Sequence, residues 1–131
     1  MSRAVAREVL SQLVFEYVFR KDDISETLNN LCEENKLSSE DRFFVESTLN
    51  GVKNNFDELT EKIKNSVSDF SFSQLFKVDY AILLIAFYEI EEGKLDKPII
   101  INEALNLAKK YSTDKSPAFI NGVLSSYLKG M

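Results

Sequence analysis

Histidine and tryptophan are absent from this 131-residue chain, and Cys32 is its single cysteine. Without histidine, a Ser-His-Asp triad and a Cys-His nucleophile pair are excluded, and a zinc site is nearly so. One cysteine excludes a disulfide framework, and its place in a helical-looking segment predicts a reduced, structural thiol. The sequence also lacks a glycine-rich phosphate loop and a dinucleotide-binding fingerprint. We therefore expect a protein that is not an enzyme and has no cofactor or metal site.

Glycine and proline are scarce, with four and two copies respectively. So few chain breakers argue against a turn-rich β-sandwich or barrel and favour long helices. Apolar residues make up 44% and charged residues 28% of the chain, which is typical of a folded globular protein. The sequence therefore predicts an all-α fold, with residues 1–131 forming one domain.

Long hydrophobic runs are also missing. The longest, Tyr80 to Tyr88, has nine residues, less than half of the ~20 that a helix needs to span a bilayer. The N-terminus has no apolar stretch of the kind that a secretory signal contains. We expect a cytoplasmic protein with no membrane partner.

Negative charge is concentrated in one segment of the chain, whose net charge is −5. Residues 22–61 carry eleven acidic and three basic residues, whereas residues 1–21 carry four basic and two acidic ones. Residues 62–131 are close to balance, with nine basic and eight acidic residues. Surface potentials depend on charges within a screening length of about 10 Å, so the two ends of the chain can still form a local positive surface.

Apolar spacing predicts a series of helices. The first carries its apolar face from Ala6 to Val18, and Ser38 with Asp41 has the spacing of a helix-capping box. Residues 67–73 are predicted to form a loop. The most apolar helix, Leu75 to Ile90, is expected at the centre of the bundle. Another helix is predicted to begin near Asp22–Asp23, and two more are predicted from Ile99 to Tyr111 and from Ala118 to Leu128. A break or kink is allowed at Gly51 and Asn54–Asn55.

Two carboxylate clusters are candidates for acid–base chemistry. One contains Glu89, Glu91 and Glu92, and the other contains Glu40 and Asp41. Both lie at the ends of predicted helices, where solvated charge is common. We interpret them as surface charges.

Three stretches of the sequence together resemble the NusB family of bacterial transcription antitermination factors. Their order, spacing and total length match, so the resemblance covers essentially the whole chain. They are Arg3-x-x-x-Arg7-Glu8; Val78-Asp79-Tyr80-Ala81-Ile82-Leu83 with Ala86-Phe87-Tyr88-Glu89-Ile90; and Ile101-Asn102-Glu103-Ala104 with Phe119-Ile120-Asn121-Gly122-Val123-Leu124.

The resemblance implies a helical bundle of two packed three-helix subdomains and a role without catalysis. NusB-like proteins pair with NusE, a small-subunit ribosomal protein in a second role. The pair binds the boxA element of nascent ribosomal RNA transcripts. By this resemblance we expect the chain to join an RNA polymerase antitermination complex and to promote read-through of terminators.

The predicted RNA contacts are Arg3, Arg7, Phe15, Lys115 and Phe119. Arg3 and Arg7 lie one helical turn apart on the same side of the first helix, where both can reach successive phosphates. The alternative for this pair is a solvated basic helix start. Phe15 falls on the same row and is predicted either to stack on a base or to pack in the core. Lys115 and Phe119 are implied by the resemblance, because the family uses that region together with the first helix.

The resemblance places partner contacts at Asp79 and Tyr80, at the start of the apolar helix. The alternative for Asp79 is a carboxylate that stabilises the helix N-terminus. Asn102, Glu103 and Asn121 are predicted to be structural. Two asparagines in apolar helices need hydrogen-bond partners, so Asn102 and Asn121 are expected to latch two helices together.

Two other functions stay open. NusB-like domains also occur in front of ribosomal RNA cytosine methyltransferases, where they help to dock the RNA. This chain has no methyl-donor-binding segment, which favours a standalone factor. The third possibility is a purely protein-binding bundle, such as a homodimer that hides the predicted RNA face.

Overall fold

The structure, a computed structural model, describes residues 3–130 apart from the side chains of residues 69 and 70. Within that range it contains eight α-helices and no strand, which confirms the predicted all-α fold. The helices are α1 (Arg3–Arg20), α2 (Ser25–Glu34), α3 (Ser39–Asn54), α4 (Phe56–Asn65), α5 (Asp69–Ser73), α6 (Lys77–Glu92), α7 (Lys97–Tyr111) and α8 (Ser116–Lys129).

The helices form two groups that meet along α1 and α6. In the N-terminal group, α1 packs against α2 and α3, and in the C-terminal group α6, α7 and α8 pack against one another. Helix α4 lies between the groups, in contact with α3, α6 and α8. Because α1 packs directly on α6, residues at the start of the chain lie beside residues far along it.

Helix α6 is the centre of the bundle, as its composition predicts. It is apolar on every side from Tyr80 to Tyr88, and Leu83, Leu84 and Phe87 are fully buried. The other helices bury only one side, such as Leu10 and Leu13 of α1. A helix that is hydrophobic all round is stable only where neighbours cover all of it. Five helices, α1, α3, α4, α7 and α8, pack against α6.

Local signals place several helix ends. The Ser38 hydroxyl accepts a hydrogen bond from the Asp41 backbone N–H at 3.1 Å, which confirms the predicted cap of α3. The Asp23 carboxylate accepts from the Ser25 backbone N–H at 3.0 Å where α2 begins. The predicted loop at 67–73 holds for residues 67 and 68 and is wrong for the rest, because Asp69–Ser73 form the short helix α5.

Gly51 has a packing role that its sequence context did not reveal. Helix α3 continues through Gly51 and ends at Asn54, so the chain turns at Asn55 and not at the glycine. The Tyr88 ring of α6 lies directly against the Gly51 backbone, where an added Cβ would be 2.1 Å from Cζ of that ring. Only glycine leaves room for this close approach of α6 to α3.

No helix in the part of the chain that the structure describes is both long enough and apolar enough to cross a membrane.

Candidate nucleic-acid interface

Arg7 is buried, which overturns its predicted place in an exposed basic row. Only 4% of the residue is exposed, and its two terminal nitrogens donate to the two carboxylate oxygens of Glu89 at 2.6 and 2.9 Å. Its Nε lies 3.8 Å from Glu103 of α7. A guanidinium with these partners joins α1, α6 and α7, and it has no surface left to offer to a phosphate.

Arg3 lies one turn earlier and stays half exposed. Its Nε donates to the Asp41 carboxylate at 3.0 Å. Both arginines lie over the same ring, with guanidinium carbons 4.4 Å (Arg3) and 5.1 Å (Arg7) from the centroid of Phe44. The two arginines do share one side of α1, as predicted, but that side faces α3 and α6.

Two carboxylates that were interpreted as solvated are buried for the same reason. Glu89 and Asp41 are 3% and 6% exposed, and each accepts an arginine that comes from α1. A buried carboxylate is stable only with a cation or hydrogen-bond donors as partners, and here the partners are the two arginines. Among the residues that the structure describes, no group of three or more Cys, Asp or Glu side chains has the arrangement of a metal site.

Lys115 and Phe119 lie together, on a groove of about 310 Å³ between the start of α6 and the start of α8. We call it the first groove. Lys115 is exposed, Phe119 is half-buried, and the Phe76 ring on the opposite side is 57% exposed. The first groove is lined by Ser71, Gln74, Leu75, Phe76, Asp79, Thr113, Lys115, Ser116 and Phe119.

Asp79 closes the base of the first groove and organises the loop that carries Lys115. It is 3% exposed, and its two carboxylate oxygens accept hydrogen bonds from the hydroxyls of Ser112 at 2.6 Å and Ser116 at 3.0 Å. The Ser116 hydroxyl also accepts from the Thr113 backbone N–H at 3.2 Å. The predicted role of Asp79 as an accessible partner contact is therefore wrong, because the carboxylate is fully used within the chain.

Tyr80 points away from Asp79, towards α4. It is half-buried, its hydroxyl is 2.6 Å from that of Thr60, and its ring lies between those of Phe56 and Phe72. Burial raises the pKa of the Tyr80 phenol. Asp79 and Tyr80, predicted as one partner surface, thus belong to two different contacts inside the bundle.

Phe15 lines a second groove, on the other side of the first turn of α6. This groove of about 190 Å³ is lined by Ser11, Gln12, Phe15, Val78, Ala81, Ile82 and Tyr111. Phe15 is half-buried against the core and also meets Phe19 edge to face at 5.0 Å. It therefore has both of the surroundings that its sequence position left open, a core contact and an open side.

Tyr111 and Lys110 at the end of α7 are held by one carboxylate of α1. The Glu8 oxygens accept from the Lys110 ammonium and from the Tyr111 hydroxyl, each at 2.8 Å. The hydrogen bond from Lys110 is the main cause that lowers the pKa of Glu8 below its usual value. Desolvation, followed by the bond to Glu8, raises the pKa of Tyr111.

Unpaired cations occur next to these grooves. Within residues 3–130, no hydrogen bond, ion pair or ring contact engages the ammonium groups of Lys77, Lys109 and Lys115. Lys77 directly follows Phe76 of the first groove, and Lys109 precedes the pair held by Glu8. The basic–aromatic face, as we call it, consists of Phe15, Phe76, Lys77, Lys109, Lys110, Tyr111, Lys115 and Phe119.

The predicted latch between Asn102 and Asn121 is wrong. Both side chains are exposed, and no hydrogen bond joins them in the described part of the chain. Each asparagine lies on the solvent side of its helix, where its amide is open to water. Glu103, the third residue of this set, lies within ion-pair distance of Arg7 and so has a packing environment consistent with a structural role.

Sequence reasoning missed Tyr111, Lys110 and Phe76. The first two follow each other in Lys109-Lys110-Tyr111, and such a basic–aromatic run is itself a weak signal of nucleic-acid binding. Nothing in the sequence marks Glu8 as their partner, since it lies 102 and 103 positions away.

Comparison with known proteins identifies the relatives of the chain. The sequence profile of the NusB family matches residues 2–129. The chain is 37% identical over 132 residues to the transcription antitermination protein NusB of Clostridium novyi (strain NT), a match that covers 98% of this chain and 99% of that protein. It is 35% identical over 129 residues to the protein of that name from Thermoanaerobacter sp. (strain X514), covering 98% and 91% of the two chains.

Solved structures show the same fold. A T. maritima NusB superposes with a TM-score of 0.88 at 26% identity, covering 98% of this chain and 92% of that one. A chain from a crystal structure of antitermination factors NusB and NusE in complex with double-stranded RNA superposes with a TM-score of 0.86 at 20% identity, covering 98% and 97%.

Proposed function

Because the chain belongs to the NusB family, we propose that it is a transcription antitermination factor that works by binding and not by catalysis. Its ligands are boxA-type RNA of nascent ribosomal RNA transcripts and the ribosomal protein NusE. Together they join RNA polymerase in the cytoplasm and promote read-through. The names of relatives that are 35–37% identical over nearly their whole length support this function.

The basic–aromatic face is the proposed RNA surface, and its unpaired lysines carry this part of the proposal. A phosphate gains most from a cation that no carboxylate already neutralises. Lys115 lines the first groove and Lys77 directly follows Phe76 of its lining, both without an ion pair among the described residues. Phe76 and Phe119 offer rings for stacking. Arg7 has no place on this surface, and Arg3 contributes only if it leaves Asp41.

NusE is the proposed protein partner. Without it, we expect the chain to bind RNA only weakly. The net charge of −5 and the small number of free lysines limit the attraction to RNA. A solved protein of the same fold forms a complex with NusE and double-stranded RNA. We expect the partner to extend the positive surface and to raise affinity for RNA.

The test is the salt dependence of RNA binding by the complex with NusE. Substituting Lys77 and Lys115 by Gln should weaken binding to boxA-type RNA and lower the slope of log K against log salt by up to about two, at roughly 0.7–0.9 for each phosphate contact. The matched control substitutes Lys36 and Lys97, which make the same charge change away from the grooves. Binding to NusE without RNA is measured beside it.

Equal slopes for the two double variants would remove this face from the RNA site. Failure of the wild-type complex to bind RNA would contradict the proposed function itself. A homodimer in solution that dissociates neither with NusE nor with RNA would favour the purely protein-binding bundle.

A further inference from the structure

We propose that a groove between α3 and the end of α6 docks an arginine side chain from a basic segment of a partner protein. This third groove has a volume of about 550 Å³ and contains Glu40 and Phe43 of α3 and Leu95, which follows α6. Asp79 lines the first groove and Glu92 lines the third, so the two grooves lie at opposite ends of α6, about 20 Å apart. The third groove is therefore a surface separate from the one proposed for RNA.

The third groove exposes an aromatic ring and an aliphatic side chain. Phe43 is 71% exposed, more than any other large hydrophobic residue that the structure describes, and Leu95 is 37% exposed. Single exposed apolar residues are common on protein surfaces. The charges around the Phe43 ring therefore decide what can bind there.

One charge in the third groove is uncompensated. The other charged groups along it take part in three ion pairs, which are Arg3–Asp41, Arg7–Glu89 and Lys94–Glu92. Glu40 is exposed and has neither an ion pair nor a hydrogen bond to its side chain in the described part of the chain. It lies three positions before Phe43, so the free carboxylate and the exposed ring share one side of α3.

The same helix already shows what such a pair of side chains binds. Asp41 and Phe44 have the same spacing one residue later, and together they hold Arg3. The Arg3 Nε donates to the Asp41 carboxylate at 3.0 Å, and the guanidinium carbon lies 4.4 Å from the centroid of the Phe44 ring. Glu40 and Phe43 repeat this combination on the adjacent side of α3, where no cation from residues 3–130 occupies it.

The surrounding charge favours a basic protein segment as the source of the arginine. Residues 22–61, which include α3, carry eleven acidic and three basic residues. A surface of this sign repels the phosphates of RNA and attracts a basic polypeptide. Arginine suits the site better than lysine, because its planar guanidinium can stack on a ring while its edge donates to a carboxylate. Leu95 offers an apolar contact to the side chain next to that arginine.

The test is a titration of the isotope-labelled full chain with a peptide of defined sequence, followed by the backbone amide signals in NMR spectra. The probe is a blocked hexapeptide that repeats Leu-Arg-Gly twice. The matched probe carries citrulline, which has the shape of arginine without its charge. The arginine peptide should shift the signals of Glu40, Phe43 and Leu95, whereas the citrulline peptide should leave them in place.

Two substitutions separate the contacts. Glu40→Gln should weaken binding of the arginine peptide by about 1.5- to 5-fold, as loss of an exposed ion pair does. Phe43→Leu should weaken it by about 2- to 5-fold, because it removes the ring under the cation. The matched controls are Glu34→Gln and Phe19→Leu, which alter an exposed carboxylate and an exposed ring outside the third groove and should leave the affinity nearly unchanged.

Three results would overturn the docking site. The first is the absence of shifts at the groove, or equal shifts with the arginine and citrulline peptides. The second is an equal loss of affinity for Glu40→Gln and Glu34→Gln, because the attraction would then be a general effect of the acidic segment. The third is a changed mass in sedimentation for the variant that combines Glu40→Gln with Phe43→Leu, which would assign the groove to a second copy of the chain.

The same double variant separates this inference from the proposed function. It should bind NusE and boxA-type RNA as the wild type does, since the third groove lies away from the basic–aromatic face. Weaker RNA binding by the variant would make the groove part of the RNA site and overturn the inference. Failure of the wild-type complex to bind RNA would contradict the proposed function and leave the peptide result unaffected.

Discussion

Two regions of the molecule combine basic residues with aromatic rings, and they use them in opposite ways. Where α1 meets α3 and α6, Arg3 and Arg7 lie over Phe44, and each has a carboxylate partner. On the basic–aromatic face, Lys77 and Lys115 have no such partner in the described residues, and Phe76 is open to solvent. The same residue types thus form a structural junction at one place and a candidate binding surface at the other.

The difference between the regions is the presence of a carboxylate from elsewhere in the chain. Glu89 reaches Arg7 across 82 residues of sequence, and Asp41 reaches Arg3 across 38. A buried charge without a partner is strongly unfavourable, so burial of Arg7 requires Glu89. The number of cations in a helix therefore says little about nucleic-acid binding until their partners are known.

Removing Arg7 tests this comparison most severely. Arg7→Ala leaves Glu89 buried and unpaired, which should lower the free energy of unfolding by about 3–5 kcal/mol. Urea denaturation followed by circular dichroism measures the change. Arg3→Ala is the comparison and should cost less than Arg7→Ala, because the Arg3 side chain is 49% exposed and Asp41 lies in the first turn of α3, where the helix dipole favours a carboxylate.

A double variant sharpens the same test. Arg7→Met combined with Glu89→Leu removes both charges and should recover most of the loss, since apolar replacements of a buried pair are often neutral. Equal stability of Arg7→Ala and the wild type would mean that the pair is not formed in solution.

Two helical glycines differ in the space around them, and substituting each by alanine tests how closely the helices pack. Gly51→Ala places a Cβ against the Tyr88 ring of α6, whereas at Gly122 of α8 nothing lies within 4 Å. Gly122→Ala should raise stability by about 0.5–1 kcal/mol, from helix propensity alone. Gly51→Ala should instead lose about 1 kcal/mol, because overpacking outweighs that gain. Thermal unfolding of both variants measures these changes. A stabilised Gly51→Ala would show that α3 and α6 are packed less closely than the structure indicates.

Glu8 gives the smallest effect, a dependence of stability on pH. Its pKa is lowered in the folded chain, chiefly by Lys110, so its ionised form stabilises the fold above the unfolded pKa of about 4.3. That contribution disappears as pH falls through the lower, folded pKa. Glu8→Gln should therefore have a free energy of unfolding a few tenths of a kcal/mol below that of the wild type at pH 7, and this difference should shrink as the pH is lowered towards 3.

The control for this titration is Glu61→Gln, an exposed carboxylate without an ion pair among the described residues. Its difference from the wild type should stay flat between the two pH values. A flat difference for Glu8→Gln as well would mean that Glu8 does not hold Lys110 and Tyr111 in solution.

Local pattern alone determined the fold class and most helix positions. Apolar spacing located α1, the apolar run located α6 at the centre, and Ser38 with Asp41 marked the start of α3. These features depend on residues a few positions apart, which the chain presents whatever surrounds them. The family resemblance has the same basis, since its motifs are contiguous.

Tertiary structure decided which of the marked residues are accessible. Helical spacing correctly put Arg3 and Arg7 on one side of α1, but it could not show that α6 brings Glu89 to that side. In the same way, Asp79 accepts a hydrogen bond from Ser116, which is 37 positions away in the sequence, and Glu8 accepts one from Tyr111, which is 103 positions away. Periodicity fixes the direction of a side chain on its own helix, whereas its partner is set by how the helices pack, and so the surface left for RNA appears only in the folded molecule.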